Sequence, residues 1–167
     1  QMDDQRFEAA PLAGIRVVDF SHFIAGPICS MMLADMGAEV VKIENTSAGD
    51  DLRRFPPLLD GQSSAFLWTN RNKLGISLDL KQPQAIEIAK DLIASADILV
   101  ENFSSGVMDR FGLGYEVAAK LNPRLIYTSI SAYGRDGELA SRAGFDPMIQ
   151  AETGFMSMNG FPDGPEL

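Results

Sequence analysis

Between Gly14 and Asn45 the apolar positions change period twice, and the change lays out a strand, a helix and a second strand. Ile15–Phe20 is a nearly unbroken apolar run with a charge near each end, the pattern of a parallel strand covered on both faces. Ser21–Gly26 reads as a turn, and Pro27 suits the first helical position, where its missing N–H is not needed. Ile28, Met31, Met32 and Met36 recur at helical spacing, and Gly37 is the expected stop. Glu39–Glu44 is the second strand. Parallel strands require such a crossover, so this stretch is one βαβ unit. Ligands of such units lie off the carboxyl ends of the strands, here Ser21–Pro27 and Glu44–Asp51.

The alternation continues downstream. Thr46–Ser64, rich in Gly, Pro, Asp and Ser, reads as a long functional loop or a cover over the crevice. Ala65–Thr69 is a short helical turn, and Gly75–Leu80 turns Ile76, Leu78 and Leu80 inward, as an edge strand does. Pro83 opens a helix with the apolar stripe Ala85, Ile86, Ala89, Leu92 and Ile93. Asp97–Glu101 and Leu125–Ile130 read as further strands, separated by a short helix ending near Gly112 and another over Tyr115–Leu121. A last helix is expected over Phe145–Met158. Strands alternating with helices predict an α/β fold with a doubly wound, mostly parallel, Rossmann-like sheet. It is expected to form one domain over residues 12–167, after a polar, disordered extension over residues 1–11.

Composition narrows the function classes. The 167 residues are 46% hydrophobic and 22% charged, enough for a real core, and the net charge of −9 argues against nucleic acid. The lone cysteine, Cys29, excludes an internal disulfide framework and fits a reducing cytoplasm. No apolar run approaches the ~20 residues that span a bilayer, and the acidic N-terminus does not read as a signal peptide. No metal-ligand spacing and no Ser/His/Asp set is evident.

A dinucleotide is the first ligand that a βαβ unit suggests, and Glu44 ends the second strand where an acid would hold a ribose hydroxyl. The glycine fingerprint fails, because the first turn carries only Gly26, followed by Pro27. His22, the only histidine, sits in this turn either as a capping residue or as a ligand contact. Cys29 reads as inert core. Asp146 and Glu152 are placed at the last helix's first turn, where the dipole alone favours acids. Arg53, Arg54, Arg71 and Lys73 fit either a solvated loop or a polyphosphate site.

The runs DFSHFIAGP, LADMGAEVVKIE, GDDLR, NRNKLGISLDLK, ADILVENFSSGVMDRFGLGYE, LNPRLIYTSISAYG and GFDPMIQAETGF follow one another in this order. Together they resemble the class III coenzyme A transferases, the family of formyl-CoA transferase, carnitine-CoA transferase and alpha-methylacyl-CoA racemase. The resemblance covers Leu12 to Leu167. It implies that His22, Ala25, Leu78, Lys81, Asn102, Phe103 and Arg110 line coenzyme A. Phe103 and Arg110 suit an adenine face, and Lys81 suits phosphate.

There are departures from the family pattern. Ile24 replaces the formyl-CoA enzyme's glutamine, and Asn45 replaces its arginine, which disfavours formyl and oxalyl specificity. Phe145 stands where the racemase carries its catalytic histidine. By the same resemblance no catalytic residue lies in this chain. The nucleophilic aspartate is expected beyond Leu167, with Asp146 as the fallback, and the chain is expected to be the N-terminal part of a large domain. The implied parent is a cytoplasmic homodimer without a permanently bound cofactor. It would move coenzyme A from an acyl-CoA to a carboxylic acid acceptor through an aspartyl mixed anhydride. The alternatives are an acyl-CoA racemase or isomerase, or a non-catalytic coenzyme A or nucleotide module.

Overall fold

A computed structural model describes residues 10–162 and residue 164 of the chain. The expected frayed extension therefore falls outside the described residues, apart from Ala10 and Pro11. Its strands are β1 (Arg16–Asp19), β2 (Glu39–Glu44), β3 (Leu58–Leu59), β4 (Gln62–Ser63), β5 (Lys73–Ser77), β6 (Ile98–Glu101) and β7 (Ile126–Ser129). The helices are α1 (Ala25–Asp35), α2 (Ser64–Thr69), α3 (Pro83–Ala94), α4 (Val107–Arg110), α5 (Tyr115–Leu121) and α6 (Asp146–Glu152). Five strands form one parallel sheet in the order β5-β2-β1-β6-β7, while β3 and β4 make a separate hairpin. The chain steps outward from β1 through β2 to the edge strand β5, then returns to lay β6 on the other side of β1. This reversal is the topological switch point of a doubly wound fold, so the predicted class is the observed one.

Alternate strand residues serve opposite faces. Val17, Val40 and Val100 pack with Ala34 and Ala38 on the α1 side. Val18, Ile43 and Leu99 pack with Ala85, Ala89 and Ile93 of α3 and with Ala118 of α5. Ile93 and Leu99 are wholly buried, and such a side chain stabilises by about 1.5–3 kcal/mol relative to an exposed one. The core supporting the strand ends is therefore ordinary aliphatic packing. One compact unit ends at Ile130 and a second begins at Ser131.

Several expectations need correction. Helix α1 starts at Ala25, so Pro27 is its third residue, although still within the turn that needs no N–H. Its buried side is Gly26, Pro27, Ser30, Met31 and Ala34, whereas Met32 and Met36 are exposed. Gly26, Ser30 and Ala34 recur every four residues and let the helix lie close on the sheet. A Cβ on Gly26 would overlap the Ser21 side chain. The spacing of large apolar residues thus marked the buried side only in part, at Met31 and half-buried Ile28. Strand β5 begins two residues before Gly75 and ends at Ser77. Ile76, Leu78 and Leu80 nonetheless pack inward on the α3 side. The long loop holds a 3₁₀ turn at Asp51–Arg54 and the β3–β4 hairpin.

In the second unit, α6 stops at Glu152, short of the predicted Met158, and Gly154 follows at φ 77 before a 3₁₀ turn over Met156–Met158. Glu152 is therefore in the last turn, where the dipole disfavours an acid. Its carboxylate is used instead by Arg142 at 2.6 Å and by the Tyr133 hydroxyl at 2.8 Å. Asp146 does occupy the first turn, and Gln150 Nε2 donates to it at 2.5 Å.

Candidate functional site

The segments that leave β1, β2, β5 and β6 converge at the carboxyl edge of the sheet. They enclose a cleft of about 180 Å³. Its apolar lining is Phe20, Ile43, Leu78, Leu80, Phe103 and Phe111, and its polar lining includes His22, Glu44, Asn45, Asp50, Asp79 and Lys81. Four residues singled out from the sequence, His22, Leu78, Lys81 and Phe103, therefore meet in one place. The His22 and Phe103 rings are 5.4 Å apart. Lys81 is exposed, and none of the ion pairs among the described residues uses its ammonium group.

Asn102 lies behind the lining. Its Oδ1 accepts the His22 N–H at 2.9 Å and its Nδ2 donates to the His22 carbonyl at 2.9 Å. It thereby ties the end of β6 to the turn after β1, across the switch point. Ala25 is exposed at the first position of α1, and Arg110 is exposed at the end of α4; neither lines the cleft.

The β1–α1 turn is strained and held by charge. Phe23 has φ 61, a left-handed conformation that costs a non-glycine residue roughly 1–2 kcal/mol. Its N–H donates to Asp50 Oδ1 at 3.0 Å, and the same oxygen accepts from Leu52 N at 3.0 Å. Lys42 Nζ donates to the Ser21 carbonyl at 2.7 Å and lies 3.0 Å from Asp50 Oδ2. Asp50 Oδ2 makes no well-aligned hydrogen bond among the described residues, so charge alone holds it to Lys42. Asp19 accepts from the Ser21 hydroxyl, from Ser30 Oγ at 2.5 Å and from Lys73 Nζ at 3.1 Å. Lys73 Nζ also donates to the Pro27 carbonyl at 2.9 Å.

Burial alone would raise the Asp19 carboxyl, but Lys42, Lys73 and the two serines outweigh it and hold it below the usual carboxylate range. Burial lowers Lys73, against the opposing pull of Asp19. Burial also opposes ionisation of Glu44, yet Arg53 and the Asp50 N–H keep its carboxyl below the ordinary value. Cys29 is half-buried, and burial followed by Asp19 pushes its thiol up, which suits the inert role expected of it.

The basic residues of the loop form no common anion site. Arg53 pairs with Glu44 and stacks on Phe66 at 3.8 Å, Arg54 pairs with Asp51, Arg71 with Asp35, and Lys73 with buried Asp19. Both readings offered by the sequence fail for Lys73, whose side chain is 2% exposed. Asn45 is used locally: its Oδ1 accepts from Ser47 and Ala48, and its Nδ2 donates to the Gly49 carbonyl. Among the described residues no cluster of His, Cys, Asp and Glu could hold a metal ion, and no helix is long and apolar enough to cross a membrane.

Residues 12–167 match the family model described as CoA-transferase family III. The chain belongs to that family. It is 43% identical to a succinyl-CoA:glutarate CoA-transferase from Mus musculus, over 92% of this chain and 36% of the relative. It is 44% identical to an acetyl-CoA:oxalate CoA-transferase from Acetobacter aceti, over 93% of this chain and 40% of the relative. A crystal structure of a CAIB/BAIF family protein from Brucella suis superposes with a TM-score of 0.89 at 39% identity, covering 95% of this chain and 43% of that one. The chain thus spans about two-fifths of the length of these relatives.

The buried ions of this family III chain are what the sequence reading missed. Asp19 and Lys42 were visible as lone charges inside apolar strands, and a charge in a strand covered on both faces needs a buried partner. That signal was present. What could not be read was which partner each would find, since Lys73 is 54 residues from Asp19.

Proposed function

We infer that this chain is the coenzyme A-binding part of a longer transferase that moves coenzyme A between carboxylic acids. The observation carrying this reading is the convergence of His22, Leu78, Lys81 and Phe103 on one cleft beside the switch point of a family III chain. The apolar lining suits an adenine ring, and Lys81 suits a phosphate. Helix α1 has an apolar N-cap, Ile24, which makes no side-chain capping bond. Asn102 fixes the turn, and Arg110 is assigned to the ligand through the family pattern alone.

The chemistry follows from the thioester. A carboxylate nucleophile attacks the acyl carbonyl, the new C–O bond forms as the C–S bond breaks, and coenzyme A leaves as a thiolate. The acceptor carboxylate then takes over the acyl position before coenzyme A returns. The family's aspartate is assigned to residues outside this chain, and Asp146, engaged by Gln150 at a helix start, remains the fallback. Racemisation is disfavoured because Phe145 cannot carry a proton. The relatives' names pair a short acyl-CoA donor, succinyl or acetyl, with a short dicarboxylic acceptor, glutarate or oxalate. Phe145, Met158 and Phe161 are each more than 70% exposed, apolar surface for the rest of the longer protein or a second copy to cover; the homodimer is assigned through the family pattern alone, and the lone thiol suits the cytoplasm.

Calorimetry with coenzyme A and with NAD tests the reading. Coenzyme A is expected to bind and NAD is not; tighter binding of NAD would overturn it.

A further inference from the structure

Two oppositely charged side chains meet at the wall of the cleft: Asp50, 1% exposed, belongs to its lining, and Lys42, 2% exposed, stands behind Asp50. A buried ion pair is weak evidence for stability, because apolar residues of similar size often do as well. What Lys42 and Asp50 do that such residues cannot is grip backbone. Lys42 Nζ takes the Ser21 carbonyl, and Asp50 Oδ1 takes the N–H groups of Phe23 and Leu52. The two groups thus bracket His22 on both sides in sequence. They also join β2, the β1–α1 turn and the 3₁₀ turn that follows β2. Phe23 would relax from its left-handed conformation without such a hold, since nothing in its own chemistry favours it. Relaxation there would turn the His22 ring away from Phe103 and open the cleft between them.

We propose that Lys42 and Asp50 are positioning residues for coenzyme A: they set the β1–α1 turn so that His22 faces Phe103 across the cleft. This rests on the coenzyme A reading above. The pair makes no bond to the reacting atoms. It acts by keeping the turn in one conformation before the ligand arrives, so that binding does not have to order it.

The test uses the full-length enzyme and two double variants with the same charge. Lys42→Met/Asp50→Asn removes both charges but keeps an amide oxygen for Phe23 and Leu52. Lys42→Met/Asp50→Ala removes that acceptor as well. Coenzyme A affinity is measured by calorimetry well below the unfolding midpoint of each variant, with circular dichroism confirming the fold. The Asn variant is expected to bind at least tenfold more tightly than the Ala variant, and the histidine NMR signal assigned through His22→Gln is expected to move only in the latter. Equal affinities in two folded variants would overturn the proposal. Amide hydrogen exchange on the unmodified enzyme decides the matter if a variant does not fold. Phe23 and Leu52 amides are expected to be protected before coenzyme A is added, and exchange at the open-chain rate would overturn the proposal. Wild-type enzyme that binds no coenzyme A would instead remove the functional reading itself.

Discussion

Asn102 holds His22 by both of its backbone polar groups, accepting its N–H and donating to its carbonyl at 2.9 Å each. A side-chain amide is imitating a paired strand here, at the point where β1 and β6 have run out of ladder. Asn102→Ala leaves both groups without that partner. Two lost hydrogen bonds cost about 1–3 kcal/mol in stability, and the turn loses its lateral hold. The expected result is a lower urea midpoint together with weaker coenzyme A binding. An unchanged midpoint would show that water replaces the amide without cost.

Arg110→Ala is expected to separate binding from folding. The guanidinium is exposed on a four-residue helix, so the fold should not depend on it. By the family pattern one charge-assisted contact is lost, about 1.5–3 kcal/mol or roughly a ten- to hundredfold drop in affinity. Wild-type affinity in the variant would make Arg110 an ordinary surface residue.

Acid should unfold the chain through its paired carboxylates. Asp19 and Glu44 both titrate below their unfolded values, so their contribution to stability is complete above the ordinary carboxylate pKa of about 4 and is lost as pH falls through the folded values. Denaturant midpoints measured from pH 7 down to pH 2 should therefore fall steeply at the acid end. Glu44→Gln should make that fall shallower, and a curve parallel to wild type would remove Glu44 from the account.

Residues 1–167 on their own are expected to show no acyl transfer, whereas a polypeptide carrying the family's downstream aspartate should turn over. Four of the acids considered for a role are occupied: Glu44 by Arg53, Asp19 by Lys73, Asp146 by Gln150 and Glu152 by Arg142. Thioester exchange assayed on both polypeptides decides this. Turnover by residues 1–167 would make Asp146 the first residue to replace.

The elements that were legible in the sequence were those where one force dominated. Glu39–Glu44 and Tyr115–Leu121 have the predicted bounds, and the helix Pro83–Ala94 opens at the predicted proline, because apolar period and end signals agree there. Helix α1 was read only in part: Met31 is buried, but close approach to the sheet rewards small residues, so Gly26, Ser30 and Ala34 complete the buried side while Met32 and Met36 are exposed. The predicted last helix overran because the stop signal of Gly154 was passed over; its φ of 77 shows the left-handed turn that Gly37 makes after α1. At the site, residues that line the cleft could be named through family likeness, but the charges holding them could not be paired, since pairing depends on strand order. The opposite assignment of Glu152, from first turn to last, is the same failure on a smaller scale.

The ion pair between Lys73 and Asp19 has an effect on strand alignment as well. Strand β5 is at the edge of the sheet, hydrogen-bonded only to β2, and an edge strand is the one most free to slide. In the observed register Lys73 lies opposite Val40 and reaches Asp19 on the α1 side. A slip by one residue would send every β5 side chain to the other face. The ammonium group would then be thrust among the aliphatic residues of the α3 side, while Asp19 would meet a neutral neighbour. The charge therefore works as a key that fits one alignment of the outermost strand, and through Leu78 and Lys81 just beyond it, the shape of the cleft inherits that alignment.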